Sequence, residues 1–378
     1  MKIAWFRPKL DCSPLLDETA QVIERLQHQH EIHSFDLHRA HEFVWLHAKQ
    51  PYDVCIYELE DTLDASFIWP YLLRFPGLTL LRSATLTTSR RETLRRERRL
   101  EALHHETVFD TETSGLMLRA VLMASKLVAV SSPGLADSLN ANDPNVRTRY
   151  LPLGLKLLNP ITSPKQHDAT SITFGCLAPS SRQYEVMKTA AKHSAAAGFP
   201  VTTLINKQTP EAVLAQTNVV LALHPTPNGR PPTDAVAAMA ASKTLVVLDT
   251  IETADWPALD PHTWKTRDIL GTKTPICISL DVRDEVHSLA LVMRRLCKDP
   301  RLGKNLAQAA QQWWKKCFTL DTSIKTLETL LEETRTKPPP VKPEDWPTHL
   351  TSDGTEHAKS ILAELGCSID LFEQSPSP

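Results

Sequence analysis

Glycine is scarce in this chain, 11 residues of 378, about 3% against a typical ~7%. Loops that let a backbone crowd a phosphate usually depend on glycine, so few such loops can be built here. No C-x-x-C pair occurs among the seven cysteines (Cys12, Cys55, Cys176, Cys277, Cys297, Cys317, Cys367), and their number is odd. That spacing argues against a disulfide framework and against zinc, and for reduced thiols in a cytoplasm. Charge of neither sign is in excess: 42 Lys and Arg against 44 Asp and Glu leave a net charge of −2. Nothing global therefore points to nucleic acid. Long apolar runs are missing too. The most apolar long stretch, Gly115 to Val130, carries Arg119 and Lys126 and is too short for a bilayer. The N-terminal "MKIAWFRPKLD" breaks its short apolar run with Arg7 and Lys9, which predicts a first strand and no signal peptide. No repeat of solenoid period is visible. The expectation is a cytoplasmic protein.

Proline, by contrast, is plentiful at 28 residues, and the 42% hydrophobic content is that of a globular protein. The length suffices for two domains. In the first half "KIAWF", "EIHSFD", "DVCIYEL", "LTLLR" and "ASKLVAVS" read as strands, and "RYLPLGL" closes the unit. Helices are predicted between them, chiefly Asp17 to His28, Ser89 to Leu103 and Pro133 to Asn140. Residues 159–170 ("NPITSPKQHDAT") lack periodicity and read as a linker. Beyond it come "SITFGCL", "VTTLIN", "NVVLALH", "TLVVLD" and "PICISL", alternating with helices at Tyr184 to Ala197, Pro210 to Gln216 and Val282 to Cys297. Such alternation predicts doubly wound α/β units with ligand crevices at the strand C-termini. Two late helices follow, one through "KNLAQAAQQWWKKCF" and one from Asp321 to Glu333. Residues 336–378 read as a proline-rich spacer and a tail with a short helix near Glu356 to Leu365.

The stretch "LHPTPNGRPPTDAVAAMAASKTLVVLD" (Leu223 to Asp249) reads as a loop feeding a helix, then a buried strand. Helix N-termini above parallel sheets hold phosphates well. Pro231 and Pro232, however, remove two N–H donors, and Asp234 adds negative charge at the positive end of the helix. Thr233 or Asp234 is the expected N-cap.

Several strings resemble retaining family-4 glycosyltransferases: "MKIAWFRP", "YELEDTLDASFIWPYLLRFPGLTLL", "VAVSSPGLADSL", "RYLPLGL", "TFGCLAPSSR", "NVVLALHPTPNG…AAMAASKTLVVLD" and "CKDPRLGKNLAQAAQQWW". They cover residues 1 to 332 in order. The resemblance implies the GT-B architecture, two Rossmann-like domains facing across a cleft. Residues 1–158 would form the acceptor side and 171–335 the donor side, with late helices crossing back. It also implies a nucleotide-sugar donor, a glycan or lipid-linked acceptor, and transfer with retention and without metal or other cofactor. The leaving diphosphate would be stabilised electrostatically.

The family's chemical positions are largely replaced. Its two donor-loop glutamates fall on Gly229 and Ala237, and a one-residue gap brings Arg230 to the first. Its basic pair falls on Cys176 and Ser181, one residue before Arg182. Its acceptor-side His-Asp pair falls on Arg82 and Ser83, the histidines shortly after on Thr85, Thr87 and Thr88, and an upstream His-His pair on Asp64 and Ala65.

The candidate ligands are therefore Arg182, Lys207 and Arg230 for the diphosphate, with Thr233 and Asp234 at the helix start. Asp64 and Arg82 are expected as an ion pair across the acceptor side. The arginine-rich segment 89–105 is either a solvated helix or a basic face for weak contact with anionic lipid. Two function classes follow. One is a glycosyltransferase; the other is a catalytically inactive relative acting as a binding or partner subunit. An epimerase would need an acid-base carboxylate pair, and none is identifiable.

Overall fold

The structure, a computed structural model, describes residues 1–9, 17–113, 115–142, 148–156, 172–177, 180–204, 209–224, 232–250, 252–267, 274–351 and 356–367. Two six-stranded sheets, parallel throughout, organise it. The first comprises β1 (Lys2–Phe6), β2 (Glu31–Phe35), β3 (Val54–Leu59), β4 (Leu78–Leu81), β5 (Leu127–Val130) and β6 (Thr148–Tyr150), in the order β2-β1-β3-β4-β5-β6. The second comprises β7 (Thr173–Gly175), β8 (Thr202–Leu204), β9 (Val219–Ala222), β10 (Thr244–Leu248), β11 (Ala258–Leu259) and β12 (Cys277–Leu280), in the order β11-β12-β10-β9-β7-β8. The strand order reverses between β1 and β3 and again between β7 and β9. At such a point successive connections leave on opposite faces, and a crevice opens at the strand C-termini. The linker expected at 159–170 lies outside the described residues.

The predicted strands form because helices cover both faces of each sheet. Every residue of β3, β4, β5, β9, β10 and β12 is buried, which is why they read as predominantly apolar runs. Local chemistry starts the helices where expected. Ser180 and Gln183 form a capping box at helix Ser181–Ala196. Thr209 caps helix Pro210–Gln216, whose proline sits where no N–H partner is lost.

Three expectations change. The helix through the tryptophan pair, Pro300–Cys317, stays on the second unit, where Trp314 and Phe318 are buried in the core beneath β10. The crossing back is made by the next helix, Leu320–Thr336, whose Leu327 and Leu331 pack with Ile3, Trp5 and Leu80 of the first sheet. The chain breaks between them because Thr319 is extended and caps the second helix through Thr322.

The arginine-rich segment is not one helix. A π-helical turn, Thr87–Glu92, runs into a short helix, Thr93–Arg96. Arg98 then takes a left-handed φ of 58°, and helix Leu100–Phe109 follows in a new direction. Asp61 accepts from the backbone N–H groups of Thr88 and Ser89 at 2.5 and 2.9 Å, satisfying the start of the turn. Arg90 is buried over the Trp69 ring, with its Nε 2.6 Å from Oε2 of Glu106. One arginine of the presumed surface face is thus part of the core, while Arg95, Arg96, Arg98 and Arg99 are exposed.

The segment after Thr336 is not a free spacer. Trp346 and Leu350 join the core of the first unit, with Trp346 edge-on to Phe109. Arg119 donates to Asp345 at 2.7 Å, and His349 Nε2 lies 2.7 Å from Glu106.

Replacing Trp346 by Ala should lower stability by about 2–4 kcal/mol in urea denaturation, the range for removing a buried large side chain. An unchanged midpoint would show that this segment contributes nothing to the first core. Glu106 supplies a second check. Burial works against its charge, yet hydrogen bonds from His349 and Arg90 hold its pKa below the ordinary 4.5. A depressed carboxylate stabilises the fold above its unfolded pKa, and that contribution disappears as pH falls through the depressed value. Glu106→Gln should therefore flatten the loss of stability below about pH 4.5, measured by denaturation across pH.

Candidate functional site

Chain segments beyond the C-terminal ends of the two sheets meet. Gly134, at the start of the helix after β5, donates its N–H to Asp255, in the loop after β10, at 3.2 Å. The C-terminal edges of the two sheets are therefore in contact at this point.

On the first side, Arg82 follows β4 directly and its side chain is 6% exposed. The expected partner was Asp64, but Asp64 lies on a short 3₁₀ turn, Leu63–Ala65, and faces solvent. Arg82 instead meets Glu18, at the start of helix Glu18–Leu26, at 2.6 Å and Glu58 of β3 at 3.0 Å. Thr19 also donates to Glu58 at 2.7 Å. Burial opposes the guanidinium charge, but the two carboxylates outweigh it and hold its pKa above the ordinary value. A buried cation needs such compensation, and an exposed aspartate in solvent could not supply it. Arg82 and its carboxylates thus form a structural charge cluster.

On the second side, Arg182 lies in the first turn of the helix after β7 and pairs with the buried Glu285 of helix Glu285–Lys298. The guanidinium is half-exposed, but its charge is partly answered within the fold. Lys207 and Arg230 lie outside the described residues. Thr233 begins helix Thr233–Ala240 and is half-buried. The N-cap is neither Thr233 nor Asp234 but Pro232, with no side-chain cap. Asp234 is buried and turned to other partners: Oδ1 accepts the Ala235 N–H at 2.9 Å, and Oδ2 lies 2.8 Å from His224 Nε2. The Ala235 N–H, in the first turn of this helix, is therefore already occupied. Cys176, just past β7, is buried; burial first and the Asp234 charge second push its thiol up to about 12. It stays protonated and is no nucleophile.

His224 escaped the sequence reading. Its signal was available: a polar residue two positions past an all-apolar strand at the order reversal, ten before an aspartate on the next helix. Another concavity, about 680 Å³, lies farther along the same edge beside Asp249, Arg267, Ser279 and Asp281. Arg267 there pairs with Asp249 at 2.9 Å. Among the described residues no group of three or more His, Cys, Asp or Glu is placed to hold a metal ion, and no helix is long and apolar enough to cross a membrane.

Solved structures of similar fold include glycosyltransferases. A sucrose-phosphate synthase from Thermosynechococcus elongatus superposes with a TM-score of 0.59 at 13% identity, over 88% of this chain and 98% of that one. The fold is GT-B. Anabaena HepE in complex with UDP and glucose gives 0.58 at 12% identity, over 88% and 99%. A Rickettsia africae glycosyltransferase gives 0.54 at 11%, over 89% and 99%. No family model matches the chain, and no curated protein matches it by sequence. At these identities the likeness establishes the GT-B fold and leaves chemistry to the residues.

Breaking the Arg82 cluster tests the correction at Asp64. Arg82→Ala should destabilise by about 3–5 kcal/mol, because two buried carboxylates lose their counter-charge. Asp64→Ala should stay within about 0.5 kcal/mol, as exposed substitutions do. Similar losses in denaturation for both variants would reinstate the Asp64–Arg82 pair.

Proposed function

We propose that this chain is a glycosyltransferase that takes a sugar from a nucleotide-sugar donor and passes it, with retention and without a metal, to a glycan or lipid-linked acceptor. Residues 171–335 would hold the donor, residues 1–158 the acceptor, and 159–170 would join them. One observation carries the reading. The strand order reverses between β7 and β9, beside the start of helix Thr233–Ala240, the place where folds of this class hold a ligand. HepE, of like fold, is known in complexes with UDP and with UDP-glucose. Arg182, with Lys207 and Arg230, would neutralise the diphosphate. Thr233 would meet it at the helix start. In such a transfer the bond from the anomeric carbon to the diphosphate breaks as the acceptor oxygen bonds to that carbon. Charge builds on the departing phosphate, where fixed cations act most strongly.

The second reading, an inert relative serving as a binding or partner subunit, has its own support. The acceptor-side position holds Arg82, closed in by Glu18 and Glu58, and Arg182 is engaged by Glu285. Cytoplasmic location, and weak contact of segment 89–105 with anionic membranes through its exposed arginines, belong to the proposal as well.

Calorimetric titration with a panel of nucleoside diphosphates and nucleotide sugars separates the readings. The enzyme reading expects binding of at least one, donor hydrolysis or transfer above background, and a loss of about 1.5–3 kcal/mol in affinity for Arg230→Ala, the scale of a charge-assisted hydrogen bond. Binding without turnover supports the inert relative. No binding to any member of the panel would overturn the donor site itself.

A further inference from the structure

A histidine at the β7–β9 crevice has a role left unassigned by the donor reading. His224 follows β9 by two residues, and Asp234 is the second residue of the helix that starts the far wall. Their Nε2–Oδ2 distance is 2.8 Å, and the other carboxylate oxygen is held by the Ala235 N–H. Asp234 is clamped from two sides and its side chain is only 6% exposed, whereas the His224 side chain keeps 33% exposure. An ionised carboxylate only accepts hydrogen bonds, so the pair fixes a proton on Nε2. The remaining nitrogen, Nδ1, has no hydrogen-bond partner among the described residues. Protonated, that nitrogen becomes a donor.

The surroundings explain why a cation is wanted here. An aspartate in the first turn places negative charge where a helix would otherwise attract an anion. Arg182 answers Glu285, and Cys176 remains a neutral thiol. We propose that His224, oriented by Asp234, donates from Nδ1 to the diphosphate of the nucleotide-sugar donor and stands in for the basic pair whose positions hold Cys176 and Ser181. This rests on the donor-binding reading above. A pair that merely tied the strand end to the helix would leave Nδ1 without a function and would not couple ligand affinity to protonation.

Burial of the ring works against protonation, but the charge and hydrogen bond of Asp234 outweigh it and raise the pKa above the ordinary 6.5. The groups around His224 are Asp234 on the helix, Cys176 past β7, Gln183 bonded to the Leu223 carbonyl, and Asp249 past β10. Asp249 is paired with Arg267. With the Cys176 thiol pushed up to about 12, the imidazole is the group among these that changes charge between about pH 6 and 9. Donation from Nδ1 is therefore complete below the raised pKa and lost as pH rises through it.

The test is calorimetric titration of the full chain with UDP-glucose and other nucleotide sugars from about pH 6 to 9. Their diphosphate diester gains and loses no proton in that range, so the profile reports the protein. Wild-type affinity should fall about tenfold or more across it, the scale of one charge-assisted hydrogen bond. His224→Gln should lose most of the affinity at low pH and show a flat profile. Asp234→Asn should move the wild-type profile to lower pH, which keeps the test decisive if the first variant fails to fold. Binding by wild type with the same affinity and profile in His224→Gln would overturn the role of His224 and leave the donor reading standing. No binding of any nucleotide sugar by wild type would overturn the donor reading and this role together.

Discussion

Two crossings of the chain, laid side by side, hold the sheets against each other, and the cleft depends on them. The first leaves β6 through Leu151 to Lys156; the second returns at Phe318 to Leu320. Leu155 donates to the Phe318 carbonyl at 3.1 Å, and Leu320 donates to the Leu155 carbonyl at 3.2 Å. The approach is so close that a Cβ on Gly154 would sit 2.3 Å from Cβ of Ser323 and 3.0 Å from the Thr319 carbonyl oxygen. In a chain so poor in glycine, this is a position where nothing larger fits. The helix that starts here then buries Leu327 and Leu331 against the first sheet. Two parallel sheets pinned at this hinge bring their C-terminal edges together, as the Gly134–Asp255 contact records.

Along those edges the strand ends carry charge, and the fold answers much of it internally. Arg7 meets Asp17, Arg82 meets Glu18 and Glu58, Arg182 meets Glu285, and Arg267 meets Asp249. Strand C-termini in α/β folds gather ligand-binding side chains because the loops there are free to vary. Here several of those side chains bind one another. Where the partner is deeply buried, as at Arg82, the cost of separating the charges makes the pairing structural. His224, like Arg182, has a buried partner while part of its own side chain is exposed.

Much of the architecture was legible in local pattern. All-buried strands of parallel sheets are mostly apolar, so "DVCIYEL" and "TLVVLD" announced themselves, and Thr209-Pro210 marked a helix start to the residue. The broken arginine segment was not legible. Its spacing suits a helix, and only the burial of Arg90 on Trp69 and Glu106, with Asp61 reaching over from the end of β3, forces a π-helical turn and a new direction. The proline-rich stretch misled in the opposite sense, because composition reports backbone stiffness and says nothing of what Trp346 finds beneath it.

Alone, the sequence determined what depends on neighbours along the chain: the alternation of strands and helices and the scarcity of glycine. Tertiary structure decided which charges meet. Glu18, Glu58 and Arg82 are 40 and 24 residues apart in sequence and converge only because β3 and β4 are adjacent and a helix begins above them. Asp64 is nearer to Arg82 in the chain and was the natural partner on paper, yet its side chain ends in water. Electrostatic pairing falls off with distance in space and with solvent screening, and neither is written in sequence separation.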